Sequence, residues 1–240
     1  MSSQSDLGKL DSAVGTAWQR LEAVRWLLPI GWVLGAVGFL GPWIGHSTAA
    51  LSLSGVDMAE FVKFLPGALD GSLTLARQVF YLPPFAVTAS LALLIHSDSL
   101  RYHRLVRALA LLLAIPLSLQ LLPPAWSPSS LITAEFRAQT VALVLCWLLL
   151  ASSWLLRRLP TWLSSSVGAL LCLSALLLTI WQYMVAKPAI DEVYGKVPAN
   201  GWGLWLCLAG LIIGTVASVY LALTVGRQSR SPLGTPLSSG

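Results

Sequence analysis

The chain has 240 residues, of which 56% are hydrophobic and only 10% are charged, and its formal net charge is +5. Charged residues make up about a quarter of an ordinary soluble domain, so this composition excludes a soluble globule and indicates a protein that lies in lipid. The basic residues stand at the ends of apolar segments, as in membrane proteins. They do not form a patch of the kind that binds nucleic acid, and we expect no nucleic-acid partner.

Six apolar segments each approach the roughly 20 residues that cross the hydrocarbon core of a bilayer. The sequence therefore predicts an all-α, polytopic membrane protein that consists of a bundle of six transmembrane helices. We expect a single membrane domain over residues 26–225. The predicted spans are residues 26–44, 79–96, 105–122, 140–156, 163–184 and 202–225.

The segment before the first span, residues 1–25, is predicted to be cytoplasmic and to form an amphipathic helix. Its apolar residues recur three or four positions apart, the spacing of one helical face. They are Leu7, Leu10, Val14, Trp18 and Leu21. We expect this helix to lie on the inner membrane surface, and docking to a partner is the alternative. The serine-, glycine- and proline-rich tail, residues 226–240, is predicted to be disordered and cytoplasmic.

The loop after the first span is predicted to contain a short helix. Ser54 and Asp57 have the spacing of a capping box. An apolar stripe with helical spacing follows at Met58, Phe61, Val62 and Leu65. We expect Pro66-Gly67 to end this helix and the helix to rest on the outer membrane interface, and capping a cavity or contacting a partner is the alternative.

The distribution of positive charge predicts the orientation. With six spans both termini lie on one side, and that side carries ten Lys and Arg residues against five on the other. The positive-inside rule then places both termini in the cytoplasm of a cell membrane. Tryptophans are expected at the two interfaces, with Trp26, Trp154 and Trp162 inside and Trp43, Trp126, Trp181 and Trp202 outside.

Small residues recur on single faces of three spans, where they let helix backbones approach closely in lipid. The candidate packing residues are Gly31 and Gly35, then Ala110, Ala114 and Ser118, and finally Gly210, Gly214, Ser218 and Ala222. We expect packing within one bundle, and contact with a second chain is the alternative. Pro83-Pro84 and Pro116 are expected to bend the second and third spans or to unwind them locally.

Few residues suggest chemistry. The centres of the spans contain no Asp, Glu, Lys or Arg, which disfavours proton- or ion-coupled transport. The cysteines and histidines lack metal-site spacing, so we predict no metal and no cofactor, and the sequence leaves open only a haem held by a single histidine. Weak candidates for an outer-face polar site are Asp57, Glu60, Arg77, Arg137, Asp191 and Glu192. For these we expect a solvated, partly ion-paired rim.

Three functions remain compatible with these patterns. The first is a non-catalytic accessory, assembly or scaffold subunit of a membrane complex, whose partner is another membrane protein or a second copy of the chain. The second is a permease or channel for a neutral, apolar or lipid-like substrate, with a cavity between the bent second and third spans and their neighbours. The third is a membrane enzyme for a lipid or prenyl substrate that uses Asp57, Glu60 or Arg137.

Overall fold

The computed structural model describes residues 22, 24–45, 52–123, 126–195 and 197–228. These residues are mostly helical. The α-helices are α1 (Val24–Leu40), α2 (Gly55–Phe61), α3 (Pro66–Leu69), α4 (Leu82–Leu94), α5 (Arg104–Leu119), α6 (Arg137–Leu156), α7 (Thr161–Tyr194) and α8 (Trp202–Gln228). Short 3-10 helices cover Val62–Phe64, Arg77–Tyr81 and Ser130–Ile132.

Three short strands depart from the all-α prediction. They are β1 (Pro42–Gly45), β2 (Leu53–Ser54) and β3 (Ala199–Asn200), and they form an antiparallel sheet in the order β2-β1-β3. In this sheet Ile44 lies opposite Leu53 on one side and Asn200 on the other. The sheet joins the end of α1 to the start of α8.

Three helices, α6, α7 and α8, are long and apolar enough to cross a membrane, which supports a membrane location. The other apolar helices are shorter than predicted, with 17 residues in α1, 16 in α5 and 13 in α4. The six longer helices, α1 and α4–α8, alternate in direction. One end of the bundle therefore collects the sheet, α2 and α3, and we call it the cap end. The opposite end collects Arg25, Arg101, Arg104, Arg107, Arg157, Arg158 and Arg227, and we call it the basic end.

Prolines account for two of the shortened spans. The chain leaves α1 at Gly41 and enters β1 at Pro42, where the ring removes the amide donor that a further helical turn requires. Pro83 and Pro84 lie in the first turn of α4, where a helix needs no amide donors. They do not bend α4, because they begin it. The 3-10 helix Arg77–Tyr81 directly before them agrees with the alternative of local unwinding.

The fifth span was predicted to end at Met184, but α7 continues through Pro188 to Tyr194. The extra turns gain several contacts that compensate for the missing amide. Ala186 and Ile190 are buried, and Lys187 pairs with Asp191 one turn further along. The helix ends at Gly195, whose φ of +63° is the left-handed conformation that glycine adopts at helix C-termini.

Helix α4 lies at the centre of the bundle. Of its 13 residues, 11 are buried, and it contacts α5, α6, α7 and α8. Its remaining side faces α1, where Trp32 donates its indole proton to Ser90 Oγ at 3.0 Å. A helix that is apolar all round and 13 residues long is typical of a core element rather than of a lipid-exposed span.

Trp43 was predicted to mark the outer interface, and this is wrong. Its side chain is fully buried and donates to the carbonyl of Gly38 at 3.0 Å. The turn into β1 carries the indole inward, where it makes edge contacts with Phe39, Phe80 and Tyr183. Trp26, Trp154 and Trp162 are exposed near the basic end and Trp126, Trp181 and Trp202 near the cap end.

Two predicted segments lie almost wholly outside the described residues. These are the amphipathic helix of residues 1–25 and the tail of residues 226–240. At the boundaries, α1 is described from Val24, and α8 continues to Gln228, two residues beyond the predicted start of the tail region.

Candidate functional site

The capping box at the start of α2 is confirmed. The Ser54 Oγ accepts from the Asp57 amide at 3.3 Å, and an Asp57 carboxylate oxygen accepts from the Ser54 amide at 3.0 Å. These bonds satisfy the free amides at the helix start. Asp57, one of the candidate site residues, is therefore occupied in holding the helix.

The apolar stripe of α2 faces the protein rather than a membrane surface. Met58, Val62 and Leu65 are fully or almost fully buried, and the half-buried Phe61 makes an edge contact with Tyr194. Pro66 does not end a continuous helix as expected. The helix already ends at Phe61, and Pro66 opens the separate helix α3. The stripe thus folds this loop down onto the end of the bundle.

Four charged side chains next to α2 form a connected group that we call the charged cap, namely Glu60, Lys63, Arg77 and Glu135. Glu60 lies 2.6 Å from Lys63 and 3.1 Å from Arg77. Glu135 lies 3.2 Å from Lys63 and 3.3 Å from Arg77. Each cation therefore contacts both anions, and the four formal charges cancel.

Arg77 is the central member of the charged cap. Its side chain is only 10% exposed, and it donates to the main-chain carbonyl of Glu135 at 2.8 Å. The guanidinium also lies over the ring of Phe136 at 5.0 Å, a favourable cation–π geometry. A desolvated charge of this kind is stable only when several partners share it.

The charged cap connects three segments that are distant in the sequence. Glu60 belongs to the α2 loop, Arg77 to the 3-10 helix before α4, and Glu135 to the connection between α5 and α6. Tyr81 also contacts the group, because its hydroxyl donates to Glu60 at 3.1 Å. Hydrogen bonding to Glu60 also raises the pKa of Lys63 above its ordinary value. The arrangement fastens the loops to the bundle.

The other candidate polar residues are not gathered into this group. Asp191 pairs with Lys187 inside α7. Arg137 and Glu192 are exposed at the starts and ends of different helices. Of the six candidates, the structure brings Glu60 and Arg77 together and leaves the other four at separate places on the cap end.

The candidate packing residues of α1 and α8 lie against each other. A Cβ atom at Gly31 would lie 3.0 Å from the Gly214 nitrogen, and one at Gly210 would overlap the backbone of Gly35. Two further glycines extend this seam, because a Cβ at Gly38 would overlap Cys207 and one at Gly203 would overlap Gly41. The seam is a contact inside one chain.

The remaining small residues lie on other internal faces. Ala114 and Ser118 of α5 are buried and Ala110 is half-buried, and Ser118 Oγ accepts from the Trp147 indole of α6 at 3.2 Å. Ser218 is fully buried beside Gly168 of α7, and its hydroxyl has no hydrogen-bond partner. Ala222 is half-buried.

A cavity of about 210 Å³ lies beside the charged cap, between the start of α4 and the start of α6. Its walls are mainly apolar and include Leu82, Phe85, Ala142 and Leu145. Gln139 also lines it and is only 2% exposed, yet neither atom of its amide has a hydrogen-bond partner. Gln78 and Tyr81 line the cavity as well. Buried polar groups without a partner are uncommon and costly, so Gln139 is the lining residue best placed to bind a polar ligand.

Sequence reasoning did not single out Gln139. The available signal was a lone amide directly before the predicted start of the fourth span, in front of a long apolar run. Helix α6 begins at Arg137, three residues before the predicted start, and this extra turn carries Gln139 into the bundle. The sequence also did not predict the pairing of Glu135 with Arg77 or the hydrogen bond from Tyr81 to Glu60.

Histidine and cysteine show no shared site among the residues that the structure describes. No group of three or more His, Cys, Asp or Glu side chains is placed to hold a metal ion in these ranges. Cys146, Cys172 and Cys207 form no disulfide with one another and are buried on separate helices. His96 and His103 lie near the basic end, and His46 lies outside the described residues.

The chain matches no protein-family model, no curated protein and no solved structure at a significant level of similarity.

Replacing Arg77 with Met should destabilise the protein, because Glu60 and Glu135 then share only Lys63 and the Glu135 carbonyl loses its donor. We expect a loss of about 2 kcal/mol, within the range for hydrogen bonds to a charged group. The measurement is thermal unfolding in detergent. The matched control is Arg137→Met, which removes an exposed arginine and should cost no more than about 0.5 kcal/mol. Equal effects of the two substitutions would contradict a structural role for the charged cap.

Proposed function

We propose that the chain is a multi-pass protein of the cell membrane in which six helices cross the bilayer. The alternating directions of α1 and α4–α8 support this, since each helix returns the chain to the opposite end. Helix α4 is short, but the 3-10 helix Arg77–Tyr81 precedes it directly. Together the two elements extend over about 30 Å, the thickness of the hydrocarbon core.

We further propose that both termini are cytoplasmic. The basic end carries seven described arginines, whereas the described residues of the cap end include four Lys and Arg residues, namely Lys63, Arg77, Arg137 and Lys187. This asymmetry agrees with the positive-inside rule when the cap end is outside. The Arg25 guanidinium lies 5.9 Å from the ring centres of Trp26 and of Tyr102, as expected for residues anchored at an interface.

For the role of the protein, we propose a non-catalytic accessory, assembly or scaffold subunit of a membrane complex. The observation that carries this proposal is the charged cap. Glu60, Lys63, Arg77 and Glu135 bond to one another, Asp57 caps α2, and Asp191 binds Lys187. Apart from the exposed Arg137 and Glu192, the candidate polar side chains on this face are engaged in holding the fold, which favours a presented surface over a reactive one.

A second candidate, a permease for a neutral, apolar or lipid-like substrate, is favoured by the cavity beside Gln139. Its apolar walls suit such a substrate. The position differs from the expected one, because the cavity lies between α4 and α6, which correspond to the second and fourth predicted spans. Transport would require this cavity to continue towards the basic end.

The subunit proposal predicts that a tagged full-length protein, purified from its native membrane in mild detergent, retains one membrane protein in stoichiometric amount. Mass spectrometry of the eluate measures this. Ile132→Arg is the control for nonspecific retention. Ile132 is 81% exposed at the cap end, so the substitution removes an apolar side chain from the surface, and proteins held there only by nonspecific apolar contact should be lost. Purification of the chain alone, together with flux of a neutral lipid in proteoliposomes, would replace this proposal with the second candidate.

The orientation predicts which positions an impermeant maleimide reaches on intact cells. Val197 is 78% exposed at the cap end, and Val197→Cys should react without permeabilisation. Arg158→Cys, exposed at the basic end, should react only after permeabilisation. The three native cysteines are buried and provide a low background. The reverse pattern would place the termini outside.

A further inference from the structure

We propose that the cavity between α4 and α6 is a binding site for a neutral lipid that carries a hydroxyl group, and that the Gln139 amide holds this hydroxyl. The site uses the cavity that favours the second candidate function above, but binding there needs neither a transport step nor a protein partner. Four observations carry the proposal: the unpartnered amide, the apolar walls, the local balance of charge and the common direction of the two helices.

The first observation is the state of Gln139. Gln139 is only 2% exposed. By hydrogen-bond geometry neither its Oε1 nor its Nε2 has a partner. The Tyr81 hydroxyl lies close to the amide and donates its proton to Glu60 Oε1 at 3.1 Å. Towards Gln139 it can therefore act only as an acceptor for one Nε2 hydrogen, and it supplies no donor to Oε1. An amide that has lost water without replacement costs free energy, and a ligand with one donor and one acceptor would recover it.

The second observation is the wall of the cavity. Leu82 and Phe85 contribute from α4, and Ala142 and Leu145 from α6. Leu145 is 44% exposed and its neighbour Val141 is 51% exposed, so the cavity opens at the side of the bundle. In a membrane this side faces hydrocarbon, and a ligand would enter from the bilayer.

The third observation concerns charge. The charged cap lies next to the cavity, and its two cations are matched by two anions. Within the charged cap neither sign is left to attract an ionic headgroup. Arg137, at the start of α6, is exposed, and the carboxylate probe below tests whether an anion binds there. The amide itself offers one acceptor and two donor hydrogens. A hydroxyl can donate to Oε1 and accept from Nε2, whereas a carboxylate can only accept and a methyl group can do neither.

The fourth observation is direction. Helices α4 and α6 both begin at the cap end, so residues later in each helix lie deeper in the bundle. Gln139 is in the first turn of α6, and Ala142 and Leu145 follow one and two turns deeper. A lipid with its hydroxyl at Gln139 and its chain directed towards the centre would have the orientation of lipids in the surrounding leaflet.

The size of the cavity limits what enters. Its volume of about 210 Å³ is below the roughly 300–1,000 Å³ of sites that enclose a whole small molecule. It therefore accommodates the hydroxyl and the first part of a chain. The rest of the chain would lie along the exposed face of α6, which includes Leu148.

The test uses the full-length protein in nanodiscs and a long-chain fatty alcohol with a photoreactive diazirine on its chain. After irradiation, mass spectrometry locates the adducts. We expect saturable labelling of the peptides that contain α4 and the first half of α6. Two further probes have the same chain but end in a methyl group or in a carboxylate. Each should label these peptides about tenfold less than the alcohol does, the factor expected for two hydrogen bonds.

Two variants separate the hydroxyl site from simple contact with lipid. Gln139→Leu keeps the volume and removes donor and acceptor, and it should lower alcohol labelling about tenfold. Ala142→Phe fills the cavity and should abolish labelling there. Gln120→Leu is the matched control, since Gln120 is half-buried at the end of α5, outside the cavity, and bonds to the Pro116 carbonyl, and it should label as the wild type does.

The comparison of the three probes on the unmodified protein needs no variant, so poor folding of Gln139→Leu would not leave the proposal undecided. Equal labelling by the alcohol and methyl probes would overturn it and identify the cavity as a nonspecific contact with acyl chains. Stronger labelling by the carboxylate probe would also overturn it, since the ligand would then be an anion.

Discussion

The close contact between the backbones of α1 and α8 determines where the rest of the cap end lies. Lipid provides little hydrophobic force between helices, so their association depends on packing at short range. Gly31, Gly35, Gly203 and Gly210 leave no side chain between the two helices, and a Cβ atom at Gly210 would overlap the Gly35 backbone. At the cap end of this seam α1 leads into β1 and β3 leads into α8, and Gly45 lies opposite Ala199. The sheet is therefore a consequence of the helix contact, since two strands leaving helices this close fall within pairing distance.

The position of β1 in turn organises the loops above the bundle. The strand carries Trp43 into a buried aromatic cluster and pairs with β2, and β2 leads straight into α2 through the Ser54 cap. Helix α2 presents Glu60 to Arg77, and the charged cap then fixes the connection that leads into α6. That connection determines where α6 begins and hence where Gln139 lies. The cavity is thus the last product of a series of local contacts that starts at glycines on the opposite side of the bundle.

The sequence allowed the helical character, the apolar segments and the Ser54–Asp57 cap to be predicted, because each depends on residues close together in the chain. Helix ends were predicted less accurately near prolines, because the effect of a proline depends on its position in the helix and on the contacts around it. Pro83 begins a helix and Pro188 lies within one, and only tertiary contacts distinguish these cases. The charged cap could not be predicted, since Arg77 and Glu135 are 58 positions apart and many pairings of the outer charges were equally compatible with the sequence. The inward turn of Trp43 and the burial of Gln139 depend on the same long-range packing.

The most direct test of this account is the thermal unfolding of Gly210→Ala in detergent, followed by the reaction of the three buried cysteines with a fluorogenic maleimide. The added methyl group has no room against Gly35, and we expect a loss of about 1–3 kcal/mol, typical of overpacking. Gly226→Ala on the same helix is the matched control. Its new Cβ would lie 3.8 Å from Trp162, an ordinary contact, and alanine should stabilise the helix there by up to about 1 kcal/mol. Opposite signs for the two variants would support the contact between α1 and α8, and equal stabilisation would contradict it.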